Sequence, residues 1–336
     1  MERTQKPLAE KAARLEYSFD LKNLDADLAS FAQKGVTEFA LHDPRFSNDK
    51  KALAEFLKKA ARHIPDVYIS IPASAQVIDA EVVGLLQNLF CSVDIFMRGD
   101  AGKVFFLDKK LFSKKAALLN NAGVVFGFLM DWARADGDSV KAFRDRIDFA
   151  LPLYPNHIDF EQLYSEQREA KNSATFSSQD ITWARDVAYA ISVFYSEGRA
   201  VPWFNSILKP LKIAPSKFFS DFAEWQRCNN CAFGSRGTAL SHKEIEKMQL
   251  LFLEEKYSEK RLERLLPVVA DVVRINGAFS RLAGEGEEGE LDLSFNPDDL
   301  LGPAAFDISA FEENVCMEDC RVRVYDAGGE PAYKIL

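Results

Sequence analysis

The sequence predicts an α/β fold: a partial (β/α)6 TIM-like barrel, then a mainly helical C-terminal region and a small terminal hairpin. Three observations carry this. Six short runs rich in β-branched and aromatic residues alternate with helical patterns over roughly the first 165 residues. From Asp180 onward the pattern is helical. At the end, Arg321, Arg323 and Tyr325 alternate with Val322 and Val324 before a turn at Asp326–Gly329.

The expected strands are Leu15–Leu21, Thr37–His42, Val67–Ile71, Ser92–Met97, Val124–Met130 and His157–Tyr164. Between them lie helical patterns at Leu24–Gln33, Asp49–His63, Asp79–Asn88, Lys110–Asn121 and Ser139–Ala150. Leu53, Phe56, Leu57, Ala60 and Ala61 put one apolar stripe on one helical face. Gln33–Gly35 and Asn121–Gly123 read as helix stops ahead of the next strand. Crossovers of this kind require a parallel sheet with right-handed connections, and six units fall short of a closed eightfold barrel. The polar stretch Ser165–Ser178 reads as a linker or surface loop. Helices are expected at Asp180–Ser196, Trp203–Leu211, Pro215–Arg227 and Ser241 to about Leu282, the last kinked or split at Pro267. The acidic stretch Gly284–Gly302 reads as a mobile loop. The expected division is a barrel over 1–165, a helical domain over 166–282, and an acidic loop with a cysteine-containing tail over 283–336.

The 336 residues are 47% apolar and 28% charged, which excludes global disorder. Forty-two basic against 51 acidic residues give a net charge of −9, which argues against general nucleic-acid binding. No run of 18 apolar residues occurs and the first residues are polar, so a soluble, cytoplasmic protein without a membrane role is expected. The would-be recognition face Phe218, Phe219, Phe222 and Trp225 belongs in a core or a protein interface.

The phrase GVTEFALHDPRFSNDKKALAEFLKKA, from Gly35 to Ala60, resembles the second strand, loop and helix of radical S-adenosylmethionine enzymes. Leu111–Asp131 is similar to that family's helix leading into its fifth strand, and Val193–Trp225 looks like the region beyond the barrel in cobalamin-binding members. The resemblance spans about Leu15 to Trp225 and rests on order and flavour. Active members hold a four-iron cluster with three cysteines in the loop after the first strand, whereas Ser18–Phe31 contains no cysteine. His42–Asp43–Pro44 stands in place of a glycine-glycine-glutamate pattern. The resemblance therefore implies a degenerate copy with an empty cofactor pocket, and S-adenosylmethionine is not expected as its cofactor.

Ligands of parallel strand–helix sheets sit at the carboxyl ends of the strands. That rule selects His42, Asp131 and Glu161 as candidate catalytic residues, with Asp43, Arg98 and Tyr164 as candidate substrate contacts. A solvated polar rim is the competing explanation, with Asp43 and Asp79 as loop or capping residues. His157 reads as a packing residue. Cys228 and Cys231 form a C-x2-C pair and Cys316 and Cys320 a C-x3-C pair. Together they suit one four-cysteine site for zinc or an iron–sulfur cluster, with reduced thiols or a disulfide as alternatives, while Cys91 reads as core. Two functions follow: a non-catalytic radical-enzyme-like scaffold that binds a protein or peptide partner, or a metal-assisted hydrolase or isomerase working at the strand ends.

Overall fold

A computed structural model of the chain describes residues 16, 17, 19, 22–41, 43–99, 104–163, 170–229 and 240–336. These form two compact units, the first ending at Ala188 and the second running Tyr189–Leu336. The boundary lies later than the expected one near residue 165, and the segments expected as separate, 166–282 and 283–336, join largely in one unit.

The first unit is built on six strands: β1 (Glu16–Tyr17), β2 (Glu38–Leu41), β3 (Tyr68–Ala73), β4 (Cys91–Met97), β5 (Val125–Met130) and β6 (His157–Phe160). Their spatial order equals their sequence order and every neighbouring pair is parallel. Right-handed crossovers in one direction put all connecting helices on one side, the arrangement of an incomplete barrel. Those helices are α1 (Leu24–Gln33), α2 (Pro44–Asn48), α3 (Lys50–His63), α4 (Ala80–Leu86), α5 (Lys109–Asn121) and α6 (Val140–Ala150). Side-chain caps start several of them: Asp49 before α3, Asp79 before α4 and Ser139 before α6 each accept backbone N–H groups. Beyond β6 the chain turns into a 3-10 helix, Glu161–Leu163, so the strand ends sooner than the expected Tyr164.

Alternation along the strands separates two faces. Phe39, Ile69, Ile71, Val93, Ile95, Phe126, Phe128, Ile158 and Phe160 are 0–1% exposed. Ring contacts place this row under the helices: Phe31 on α1 meets Phe39, Phe112 on α5 meets Phe128, and Phe143 on α6 meets Phe160. The opposite face carries Tyr68, Ser70, Ser92, Asp94, Phe96, Gly127, Leu129, His157 and Asp159.

The second unit begins within α7 (Ser178–Ile191), which runs into a π-helical turn, Ser192–Glu197. It continues through α8 (Phe204–Leu211), α9 (Pro215–Cys228), α10 (His242–Glu259), α11 (Leu266–Glu285), α12 (Pro297–Leu301) and α13 (Ile308–Asn314). Phe194 is its aromatic hub, with Phe204, Phe218, Phe219, Phe222 and Phe252 rings around it. Phe218, Phe219, Phe222 and Trp225 are all buried, which fits their expected core role.

The long helical stretch is split, as expected: α10 ends at Glu259, Arg261 adopts φ 56°, and Pro267 sits in the first turn of α11, where no N–H is needed. Gly284–Gly302 is not a loop. It holds β7 (Gly289–Leu293) and α12, and β7 joins β8 (Cys320–Asp326) and β9 (Pro331–Ile335) in an antiparallel sheet. Its acidic residues are partnered across strands: Glu290 meets Arg321 at 2.9 Å and Glu288 meets Arg323 at 2.8 Å.

Candidate functional site

The face of the parallel sheet opposite the helices holds two tiers of polar groups. In the lower tier, register aligns Asp94 on β4, Gly127 on β5 and His157 on β6 in one row. His157 Nε2 lies 2.6 Å from Asp94 Oδ1, although a whole strand separates them. Gly127 makes that reach possible. A Cβ at this position would stand 2.2 Å from His157 Nε2 and Cδ2, inside the imidazole itself. On the other side of Asp94, the Ser70 hydroxyl on β3 donates to Asp94 Oδ2 at 2.5 Å. Beside it, the Tyr68 hydroxyl donates to Ser92 Oγ at 2.8 Å. Asp159, two residues along β6 and so on the same face, brings Oδ2 to 3.8 Å from His157 Nε2. Asp94, His157 and Asp159 keep one ligand atom each within 4.8 Å of one another, and no other such group of three His, Cys, Asp or Glu side chains occurs among the described residues.

The upper tier lies at the strand ends. Arg98 pairs with Glu161, and its guanidinium stacks on Phe96 with Cζ 4.1 Å from the ring centre. Arg134 approaches the same carboxylate at 3.5 Å. The loop that carries Arg134 is clamped by Arg146 on α6, only 1% exposed. Its guanidinium donates to both Asp138 oxygens at 3.1–3.2 Å and to the Asp131 carbonyl at 2.8 Å. Asp138 also accepts the Ala133 N–H at 2.9 Å. Gln162 donates to the Trp132 carbonyl at 2.7 Å, tying the loop after β6 to the loop after β5.

Of the residues expected from sequence, Arg98 and Glu161 are brought together. Asp131 is fully buried and accepts the Gly99 N–H at 3.2 Å; burial pushes its carboxyl above the usual range despite the nearby Arg146 charge. Asp43 caps α2 through the Arg45 N–H at 2.9 Å and pairs with the Arg45 guanidinium, a helix-starting task. His42, Tyr164 and Cys231 lie outside the described residues. Cys228 and Cys316 are exposed, Cys320 is half-buried and donates to the Phe295 carbonyl at 3.4 Å, and these three do not assemble as ligands of one ion. Cys91 is buried, and burial pushes its thiol up to about 12.

His157, Asp94, Asp159 and Ser70 are the functional candidates that strand-end reasoning missed. Their signal was present: strands of a parallel sheet read as apolar on both faces, yet YISI, SVDIF and HIDF place polar groups at every second position.

No protein-family model and no curated protein matches this chain. Among solved structures it is similar to the radical S-adenosylmethionine methyltransferase TsrM from Kitasatospora setae, in a form with tryptophan substrate and a SAM analogue bound. That match has 13% identity and a TM-score of 0.36, covering 42% of this chain and 30% of the methyltransferase. A cobalamin- and [4Fe-4S]-bound form of that enzyme matches at 14% identity over the same shares. A variant of Sulfolobus solfataricus 2-keto-3-deoxygluconate aldolase matches at 10% identity and a TM-score of 0.27, covering 82% of this chain and 98% of the aldolase. The chain thus spans under a third of the length of the methyltransferase.

Proposed function

We propose that this chain is an enzyme acting on a small polar molecule at the face of its partial barrel opposite the helices, by hydrolysis or isomerisation centred on His157 and Asp94. One observation carries this reading: the Ser70–Asp94–His157 chain of hydrogen bonds, largely buried and spanning four strands with Gly127 cleared beneath it. Buried charged and polar groups cost stability relative to apolar residues of similar size, so such a row in a sheet core points to chemistry. The Arg98–Glu161–Arg134 group at the strand ends would orient the substrate. The cysteine-free stretch Ser18–Phe31 keeps reductive cleavage of S-adenosylmethionine out of the proposal.

A thermal-shift screen with hydroxy acids, oxo acids, amino acids and sugar phosphates tests this. At least one class is expected to raise the melting temperature of the wild-type chain, and His157→Gln to lose that response while keeping its circular dichroism. A screen without any response, or a response that survives His157→Gln, refutes the proposal. A scaffold role with a protein or peptide partner is the second reading, favoured by Val104 and Phe106, which are 78% and 82% exposed after β4. It replaces the first if Phe106→Ser abolishes a partner complex that His157→Gln leaves intact.

A further inference from the structure

We infer that Asp94, His157 and Asp159 form a site for one divalent transition-metal ion of the zinc or manganese class. The inference deepens the proposed function, on which it rests for its role: the proton-carrying group becomes a metal-bound water, with the imidazole as its anchor.

The donor set is one imidazole nitrogen and two carboxylates, which together neutralise a dication. An imidazole favours zinc and iron over magnesium and calcium, and carboxylates add manganese to the group. Three protein ligands and an open fourth position describe a catalytic site. The present spacings are close to what an ion needs. Ligands about 2.1 Å from a tetrahedral ion stand about 3.4 Å apart. His157 Nε2 stands 2.6 Å from Asp94 and 3.8 Å from Asp159, two spacings that bracket that value, and all three ligand atoms lie within 4.8 Å of one another.

Two features outside the ligand set serve the same end. Ser70 holds Asp94 Oδ2, so that Oδ1 is the oxygen turned toward His157; metal-ligating carboxylates are oriented by outer partners of this kind. Gly127 is the second. The imidazole occupies the volume of the missing side chain, and only that lets a β6 residue share an ion with a β4 residue. Side chains of the three ligands are 12–19% exposed, enough for an ion and a water to enter.

The test is isothermal titration of chelator-treated full-length protein with Zn2+, Mn2+ and Mg2+, with metal content checked by mass spectrometry. One equivalent of Zn2+ or Mn2+ is expected to bind the wild type, with Mg2+ far weaker. Asp159→Asn should weaken binding about 100-fold and Ser70→Ala about 10- to 100-fold. Gly127→Ala keeps every ligand yet should lose the ion, because the ring is displaced. If Gly127→Ala fails to fold, Asp159→Asn, the most exposed of the three, decides. The inference is overturned if the wild type binds no equivalent. It is overturned equally if binding survives Asp159→Asn and disappears when Cys228, Cys316 and Cys320 are changed to serine. A wild type that binds metal in the titration but answers no compound in the thermal-shift screen removes the proposed reaction and leaves the ion site standing; the reverse result does the opposite.

Discussion

Asp271 and His242 are the two buried titratable residues whose protonation the second unit shifts furthest within the accessible pH range, and they pull in opposite directions. Asp271, 1% exposed on α11, accepts the Ser294 N–H at 2.6 Å; burial nevertheless pushes its carboxyl up to about 6. Below about pH 4 folded and unfolded chains both carry this proton. Between about 4 and 6 only the folded chain holds it, so this group's stability contribution falls as pH rises and its full cost is present above about 6. His242 is pushed down to about 4 by burial and by the Arg199 and Arg281 charges, with Arg281 Nη1 3.1 Å from its Nδ1. Its cost is the reverse: absent above about 6.5, and growing as pH falls toward 4. Asp271→Asn keeps an acceptor for Ser294 and removes the titration. Urea unfolding at several pH values should show the variant gaining on the wild type from pH 4 to 7, by at most about 3 kcal/mol. Parallel curves through that window would refute the assignment. Neither residue was legible beforehand. Asp271 stands in the unremarkable helical run PVVADVVRI, and only the return of Ser294 over it reveals its burial.

Elements were more legible than residues because the forces that make them are local. Asp49, Asp79 and Ser139 stand where N-caps belong, and α3, α4 and α6 start right after them. α10 opens with a capping box in which Ser241 and Glu244 satisfy each other's backbone N–H groups. Legibility failed where a segment's fate depends on a distant partner. Gly284–Gly302 has a loop's composition, and becomes strand and helix by pairing with β8 and burying Leu293, Phe295 and Leu300, with Arg321 and Arg323 set against its glutamates. The π-helical turn Ser192–Glu197 is a further case: Ser192, Val193, Phe194 and Tyr195 are all buried, and nothing in the local sequence marks the wider turn. That turn delivers Phe194 to the ring cluster from α8, α9 and α10. Phe194→Ala should therefore cost about 3–5 kcal/mol in chemical denaturation, and Phe194→Leu clearly less. A loss below about 1 kcal/mol for the alanine variant would show that the cluster closes without it.

Whole-molecule organisation divides the cysteines and gives a test of whether their pairing in sequence means metal chemistry. Cys91 belongs to the parallel sheet of the first unit, buried, with burial holding its thiol at about 12, so almost no thiolate forms at neutral pH. Cys228 ends α9, Cys316 follows α13 and Cys320 opens β8, all within the second unit. Burial and the acidic neighbours Glu318, Asp271 and Asp319 push the Cys320 thiol up, which disfavours the thiolate that a metal or an alkylating agent needs. Cys228 and Cys316 are exposed. Alkylation of the native chain, read by peptide mass spectrometry, should label Cys228 and Cys316 first, Cys320 more slowly, and Cys91 only on unfolding. The same labelling with one equivalent of Zn2+ distinguishes the two candidate ion sites. An ion held by Asp94, His157 and Asp159 leaves the rates at Cys228 and Cys316 unchanged. Protection of both residues by zinc would mean that the second unit's thiols converge around the ion, and would restore the four-cysteine site suggested by the C-x2-C and C-x3-C spacing.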